Sequence, residues 1–309
     1  MDNNFSIKYD AILIDVLNLF HRCIAGEEKE VNAIPKFLKS LNKIESNYLE
    51  CSGKIYYLVD NPNSRNFSRK MIDPEYKLDR EKLKPSFLRA LDLLQTILLH
   101  RNNNYKLIQV PFLEADDLVP LVLAGIESDR KALLVSTDLD WSRAINKKTH
   151  WLDKDTIYDT QSFFDKYEFE PTNEKVCLWK ALKGDESDCI PNALPNLQKE
   201  TVLKILNQFS DIYSFLDSYK TLDWLNDHWK NEIKNNITRI RLNYQLVQFV
   251  NIDNPKILKE YEFDCTFEGQ ALFLFLKNIG ITNVLEIDKR LKNCVITTIS
   301  DDWAELSRY

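Results

Sequence analysis

Three aspartates follow apolar segments in the first half of the sequence. Asp15 ends the first apolar run, Asp60 ends the second, and Asp138 comes one step after a third. A single aspartate in such a position is most simply the N-cap of the next helix. Three of them favour a shared site, because the carboxyl ends of parallel strands meet at one edge of a sheet, where ligands bind.

Further acidic residues come in groups whose members are one to three positions apart. The group from Glu114 to Asp117 precedes an apolar helix that must begin near Asp116 or Asp117, since Pro120 is tolerated only in a first turn. Together with the strand-end aspartates, the candidate metal ligands are Asp15, Asp60, Glu114, Asp116, Asp117, Asp138, Asp140, Asp185 and Asp188.

Nine carboxylates gathered at one edge would repel one another by about 4 kcal/mol per close pair at an effective dielectric constant near 20. Such a site is expected to stay ionised only if cations fill it. Oxygen ligands without clustered His or Cys select hard ions, so Mg²⁺ or Mn²⁺ is expected rather than zinc. Two such ions can activate a water and stabilise the leaving oxygen of a phosphodiester. Calcium storage is a weaker hypothesis, because the sequence has no EF-hand spacing.

The segment from Asn61 to Pro85 has the opposite charge. Its seven basic residues are Arg65, Arg69, Lys70, Lys77, Arg80, Lys82 and Lys84. Phe67 and Tyr76 are interleaved with them, and aromatic rings can stack on unpaired bases while cations attract phosphates. A solvated, charged helix is the simpler interpretation of this composition. Its position directly after Asp60 favours contact with a substrate.

Composition gives a first argument against a nucleic-acid partner. The 309 residues include 47 acidic and 41 basic ones, for a net charge of −6, and 44% are hydrophobic, which suits a globular core. Setting the nine candidate ligands aside changes −6 to +3 for the rest of the chain, which predicts weak, salt-sensitive binding. Six scattered cysteines without C-x-x-C, a polar N-terminus and no long apolar run predict a soluble, untargeted cytoplasmic protein (host cytoplasm if the source is viral) with reduced thiols.

Strand-like and helix-like patterns alternate through the first half. The predicted strands are 9–14, 55–59, 105–110 and 132–135, and the predicted helices between them are 35–49, 87–100 and 118–126. This order predicts an α/β protein with a mostly parallel, doubly wound sheet. From about Glu174 the pattern becomes mainly helical, with a late apolar stretch at 271–276 and a possible strand at 295–298. We therefore expect a boundary between 1–175 and 176–309.

Six segments in order carry a resemblance to a known family. They are IDVLN around Asp15, LVDNP around Asp60, PEYK at 74–77, EADD at 114–117, STDLDW at 136–141 and KGDESDCIPN at 183–192. The series resembles the 5′ nuclease family of flap endonucleases and 5′→3′ exonucleases, in particular its bacteriophage branch, which includes phage ribonuclease H enzymes. The resemblance covers residues 9–206.

The resemblance implies a PIN-like core and a phosphodiesterase with two Mg²⁺ ions, for which Mn²⁺ can substitute. The first ion would be held by Asp15, Asp60, Glu114 and Asp116, and the second by Asp138, Asp140, Asp185 and Asp188, with Asp117 between them or outside the direct ligands. Lys77 would face the scissile phosphate, and Arg69 or Lys70 would help to offset charge in the transition state. Residues 61–85 would form a gateway or arch over the free 5′ end. Tyr76 is either a base-stacking residue or ordinary packing, and the expected nucleic-acid contacts are Arg65, Arg69, Lys70, Tyr76, Lys77, Arg80 and Lys199.

The sequence departs from the family after the last of these segments. Relatives usually have a glycine-rich helix-turn-helix there, which grips duplex backbone and sometimes binds potassium, whereas residues 190–201 contain no glycine. A Cβ at every position hinders close approach of the backbone to phosphate, so a degenerate helix-turn-helix is expected. The sequence does not decide whether K⁺ binds there. Asn192 and Asn196 are able to adopt the left-handed conformation that such a turn requires.

The function expected from the resemblance is removal of nucleotides from 5′ ends of RNA·DNA and DNA·DNA duplexes, and cutting of 5′ flaps, as in primer removal. The protein would act as a monomer, with a single-strand-binding protein or clamp as possible partners. The alternatives are a PIN-type single-strand ribonuclease, which is normally much shorter, and a structure-specific DNA-binding protein whose catalysis has decayed.

Overall fold

The computed structural model describes residues 7–61, 67–78, 83–252, 256–281, 283, 288, 290 and 291. A seven-stranded sheet lies at the centre. Its strands are β1 (Tyr9–Asp15), β2 (Leu49–Leu58), β3 (Lys106–Ile108), β4 (Ala132–Val135), β5 (Thr149–Asp153), β6 (Thr156–Tyr158) and β7 (Glu262–Asp264). The order is β6-β5-β4-β1-β2-β3-β7, with the five inner strands parallel and the two outer strands antiparallel to their neighbours.

Helices cover both faces of the sheet. They are α1 (Val16–Ile24), α2 (Ala33–Tyr48), α3 (Phe67–Ile72), α4 (Pro85–Leu99), α5 (Ala115–Ala124), α6 (Thr160–Tyr167), α7 (Asn173–Lys183), α8 (Lys199–Gln208), α9 (Ile212–Ser218), α10 (Asp227–Val247), α11 (Ile257–Glu260) and α12 (Gly269–Asn278). Along β1, Leu13 packs with α5 to α10 while Ile12 and Ile14 pack with α1, α2, α4 and α12. Burial on both faces explains why residues 11–14 of β1 are all apolar.

The parallel register brings strand ends together. Ile14 of β1 pairs with Tyr57 of β2 on one side and with Val135 of β4 on the other. Asp15 and Asp60 therefore leave the sheet at the same edge, which we call the carboxyl edge. The predicted α/β class, its mostly parallel doubly wound sheet and its helical C-terminal region are confirmed.

Differences from the predicted elements concern short and late segments. The edge strands β6 and β7 have only three residues each, too few for an alternating pattern to appear. The apolar stretch at 271–276 lies within α12, and the possible strand at 295–298 lies outside the described residues. The boundary near residue 175 stays a prediction. Within the part of the chain that is described, no helix has the length and apolar character needed to cross a bilayer.

Candidate active site

The first strand-end aspartate is both a helix cap and a member of a charged site. Asp15 accepts a hydrogen bond from the Asn18 amide (3.0 Å), which begins α1, and another from the Ser136 hydroxyl (2.8 Å). Burial and then the negative charge of Asp60 raise the pKa of Asp15 to about 8. The N-cap interpretation is therefore correct for Asp15, but the same side chain also lies near the other acids.

The second strand-end aspartate connects β2 to the start of α5. The Ala115 amide donates to a carboxylate oxygen of Asp60 at 2.6 Å. Glu114 caps α5, and Asp117 completes a capping box by accepting from the Glu114 amide at 3.1 Å. Glu114, Asp116 and Asp117 offer carboxylate oxygens that all lie within 4.8 Å of one another. We call these three residues the first carboxylate group.

Arg69 neutralises part of this group from inside the protein. Its Nη atoms donate to Glu114 at 2.9 Å and to both oxygens of Asp117 at 2.7 and 2.9 Å. Its remaining N–H groups donate to the carbonyls of Leu246 and Gln248 at the end of α10. All five donors are thus used, and the residue is 3% exposed. The structure does not bring Arg69 to a surface that a substrate phosphate can reach, which differs from the predicted contact.

Tyr76 and Lys77 connect the two halves of the site. The Tyr76 hydroxyl lies 3.0 Å from Glu114 and 2.9 Å from Asp188, so it can donate to either. The Lys77 ammonium lies 2.6 Å from Glu114 and 3.4 Å from Asp188. Burial opposes ionisation of Glu114, but Lys77 and Arg69 outweigh it and lower the pKa of Glu114 to about 2. The Tyr76 ring is buried, so the packing interpretation holds and no face is left for a base.

A second carboxylate group consists of Asp140, Asp185 and Asp188, whose oxygens also lie within 4.8 Å of one another. Asp138 caps the short 3₁₀ helix that carries Asp140 and accepts from the Asp140 amide at 2.9 Å. Gly184 makes the turn that precedes Asp185: its φ is +75°, and a Cβ there would lie 2.5 Å from the Ile190 carbonyl oxygen. Only glycine fits this conformation and this space.

Two buried cations at the site were not predicted. Lys180 on α7 lies 2.5 Å from Asp140 and 2.6 Å from Asp185. Arg143 donates to Asp116 at 2.8 Å and lies 3.8 Å from Asp140. The sequence signal for these two cations was their spacing from the acids. Arg143 follows Asp140 by three positions, and Lys180 precedes Asp185 by five. These cations bridge acids within and between the two groups.

The remaining electrostatics show an excess of negative charge. Burial and then the charge of Asp117 raise the pKa of Asp116, and burial and then Asp140 raise the pKa of Asp138. For Asp140, burial acts in the same direction, but Arg143 and Lys180 outweigh it and lower the pKa. The internal cations therefore offset only some of the carboxylates. Both clusters found among the described residues contain carboxylates alone, a donor set that fits hard divalent cations.

An open cleft of about 670 Å³ lies beside the segment that carries Asp185 and Asp188. It is lined by Glu75, Leu78, Lys183, Glu186, Cys189, Ile190, Pro191 and Asn192. Two of the lining residues, Leu78 and Cys189, are chain neighbours of Lys77 and Asp188, so the cleft lies close to both along the chain.

The other predicted nucleic-acid contacts are dispersed. Lys70 is exposed on α3, and Lys199 is exposed at the start of α8, where it pairs with Glu168 at 2.6 Å. Arg65 and Arg80 lie outside the described residues, as do the rest of 62–66 and 79–82 of the predicted gateway. The structure thus brings the predicted acids, Tyr76 and Lys77 together and leaves Lys70 and Lys199 on the surface.

The fold and the two carboxylate groups define a PIN-like α/β protein with a site suited to divalent cations at the carboxyl edge of its sheet. Residues 10–168 match the family described as 5′-3′ exonuclease, N-terminal resolvase-like domain, and the chain belongs to this family. The bacteriophage branch stays a prediction.

Comparison with individual proteins agrees with this assignment. The chain is 27% identical over 220 residues to DNA polymerase I of Bacillus subtilis (strain 168), covering 67% of this chain but only 24% of the polymerase. It is 26% identical over 279 residues to the 5′-3′ exonuclease of Buchnera aphidicola subsp. Baizongia pistaciae (strain Bp), covering 82% of this chain and 85% of the exonuclease. A bacteriophage T5 flap endonuclease, in a pseudo-enzyme-product complex with DNA and metal ions, has the same fold, with a TM-score of 0.58, 18% identity, and coverage of 90% of this chain and 98% of that chain.

Proposed function

We propose that this protein is a divalent-metal-dependent 5′ nuclease that acts as a 5′→3′ exonuclease and flap endonuclease. The observation that carries the proposal is the pair of carboxylate groups at the carboxyl edge, bridged by Tyr76 and Lys77. An open cleft is lined by chain neighbours of Lys77 and Asp188. Family membership supports it, as do the relatives named as 5′-3′ exonuclease and flap endonuclease.

Two Mg²⁺ ions are the proposed cofactor, and Mn²⁺ is expected to substitute. Asp15, Asp60, Glu114 and Asp116 would hold one ion, and Asp138, Asp140, Asp185 and Asp188 the other, with Asp117 held by Arg69. Bound ions supply an activated water and offset charge on the leaving oxygen.

The chain's own residues place and neutralise the substrate. Lys77, at the junction of the two groups and beside the cleft, is positioned to contact the phosphate and to offset the charge that develops during hydrolysis. The Tyr76 hydroxyl lies within hydrogen-bond distance of both Glu114 and Asp188 and donates to one of them at a time. Arg143 and Lys180 keep Asp140 ionised.

We assign duplex binding to the region from 176 to 309 and the nuclease core to 1–175, with the gateway at 61–85. The loop between α7 and α8 would contact the duplex backbone. In residues 190–201, which contain no glycine, Asn196 has φ +67°, so one left-handed position is present there. Asn243 of α10 donates to the Ala181 and Pro191 carbonyls at 3.2 and 2.8 Å and holds the start of the loop in place.

The proposed substrates are DNA and RNA·DNA duplexes with 5′ ends or flaps, processed by a monomer that works with replication proteins. The test compares a 5′ flap, a nicked duplex, an RNA·DNA hybrid and single-stranded RNA, each with Mg²⁺ and with EDTA. Cleavage of the first three in Mg²⁺ alone is expected, and Asp116→Asn should abolish it while leaving flap binding nearly intact. Binding without product in Mg²⁺, or cleavage by Asp116→Asn at the wild-type rate, would contradict the proposal.

A further inference from the structure

Two exposed phenylalanines lie next to the site without a role in it. Phe67 begins α3 and is 53% exposed, and Phe112 precedes α5 and is 50% exposed. Their ring centroids are 5.1 Å apart with an interplanar angle of 52°. We call this pair the Phe67–Phe112 platform. Large aromatic rings are usually buried, so two adjacent exposed ones indicate a binding surface.

Both rings lie close in the chain to a residue of the first carboxylate group or to its partner Arg69. Phe67 is two residues before Arg69, which binds Glu114 and Asp117. Phe112 is two residues before Glu114, and the Ser68 hydroxyl donates to the Phe112 carbonyl at 3.0 Å. The platform is therefore held at a fixed position relative to the carboxylates, as a substrate-positioning element must be.

The backbone at Phe112 adds a second observation. Its φ is +68°, in the left-handed region that a bulky side chain rarely adopts. This conformation is costly for phenylalanine, and the ring at this position lies against Phe67. Lys70 and Met71, three and four residues after Phe67, share its side of the short helix and are also exposed. A cation beside exposed rings is the combination that binds single-stranded nucleic acid.

We propose that the Phe67–Phe112 platform stacks an unpaired base of the substrate strand while Lys70 contacts its phosphate. This inference rests on the proposed function and adds two positioning residues to it, Phe67 and Phe112, for the unpaired part of a flap. A peptide segment from a protein partner would also find apolar surface here, but the adjacent nuclease site and Lys70 favour a base.

The test measures binding of a 5′-flap DNA by fluorescence anisotropy in Ca²⁺. Phe67→Leu and Phe112→Leu keep apolar volume but remove the ring, and each should weaken flap binding at least about fivefold, which corresponds to about 1 kcal/mol. Phe67→Trp should restore or strengthen binding. Phe164→Leu is the matched control, since Phe164 is an exposed phenylalanine on α6, and it should leave affinity unchanged. A fully paired duplex with a nick should bind all variants equally.

An abasic scan of the flap distinguishes stacking from general apolar contact. Flap nucleotides are replaced one at a time by an abasic nucleotide. The wild type should bind more weakly when one or two particular positions are abasic. The Phe67→Leu variant should bind those abasic flaps with the same affinity as it binds the intact flap. Equal affinity of wild type and both leucine variants for the flap, with wild-type cleavage intact, would overturn the platform and leave the proposed nuclease standing. Loss of nicked-duplex binding in the leucine variants would also overturn it, by showing a general structural role.

Discussion

Replacement of Asp15 by asparagine is expected to stabilise the metal-free protein. Asp15 is buried and lies near Asp60 and Asp138, and its pKa is raised to about 8 from an ordinary value of 3.8. The folded state therefore keeps a proton that the unfolded chain releases, and stability is lost as pH rises from about 4 to about 8. Asparagine has no such charge and can still accept the hydrogen bond from the Asn18 amide.

The size of the effect follows from this shift in pKa. One pKa unit corresponds to about 1.4 kcal/mol, so at pH 7 the upper bound is roughly 4 kcal/mol. Asparagine also gives up part of the hydrogen bonding to Ser136, so a net gain of about 1 to 3 kcal/mol is expected. For a chain of 309 residues this corresponds to a rise in Tm of roughly 2 to 5 °C.

The assay is thermal unfolding of wild type and Asp15→Asn in EDTA at pH 5, 6, 7 and 8. The stability difference should grow with pH over this range. Adding Mg²⁺ should raise the Tm of the wild type more than that of the variant, because an ion that binds only the folded state stabilises it by mass action. An asparagine variant no more stable than wild type at pH 8 in EDTA would refute the reasoning.

Two further substitutions test the scaffold of the site. Arg69→Met should lower the free energy of unfolding by about 3 to 5 kcal/mol in urea titrations, since it leaves Asp117 buried without its guanidinium partner and removes one of the two cations beside Glu114. Lys70→Met, on the same helix but exposed, is the control, and equal stability of the two variants would contradict the burial argument. Gly184→Ala should cost at least about 1 kcal/mol from its φ alone, and more from the contact with the Ile190 carbonyl. Gly26→Ala, which shares a positive φ but has open space around it, should cost less, and the opposite order would count against a steric role of Gly184.

The acids at the carboxyl edge were predictable because parallel strands impose a common edge on residues far apart in sequence. The strand pattern was enough to predict the positions of Asp15 and Asp60, and the predicted start of a helix was enough to predict that of Glu114. The partners of these acids were not predictable in the same way. Arg143 reaches Asp116 across 27 positions, and no local period marks such a contact.

The environment of an aromatic or basic side chain was the least predictable feature. Tyr76 and Phe67 occur in the same basic segment, yet Tyr76 is buried against Glu114 and Phe67 is exposed. Arg69 and Lys70 are neighbours, and only Lys70 faces solvent. In a helix, a shift of one position changes which side chain faces the core. The pattern of charges in this segment does not reveal which of two neighbouring basic residues is the buried one.

The two carboxylate groups are proposed to bind divalent cations, and locating those cations is the most direct test. Crystals of the protein grown with Mn²⁺ would be measured at the manganese absorption edge. We expect one anomalous peak within about 2.5 Å of oxygens of Glu114 and Asp116, and a second within the same distance of the group formed by Asp140, Asp185 and Asp188. An anomalous map with no peak at either group, at a Mn²⁺ concentration that supports cleavage, would contradict the proposed site.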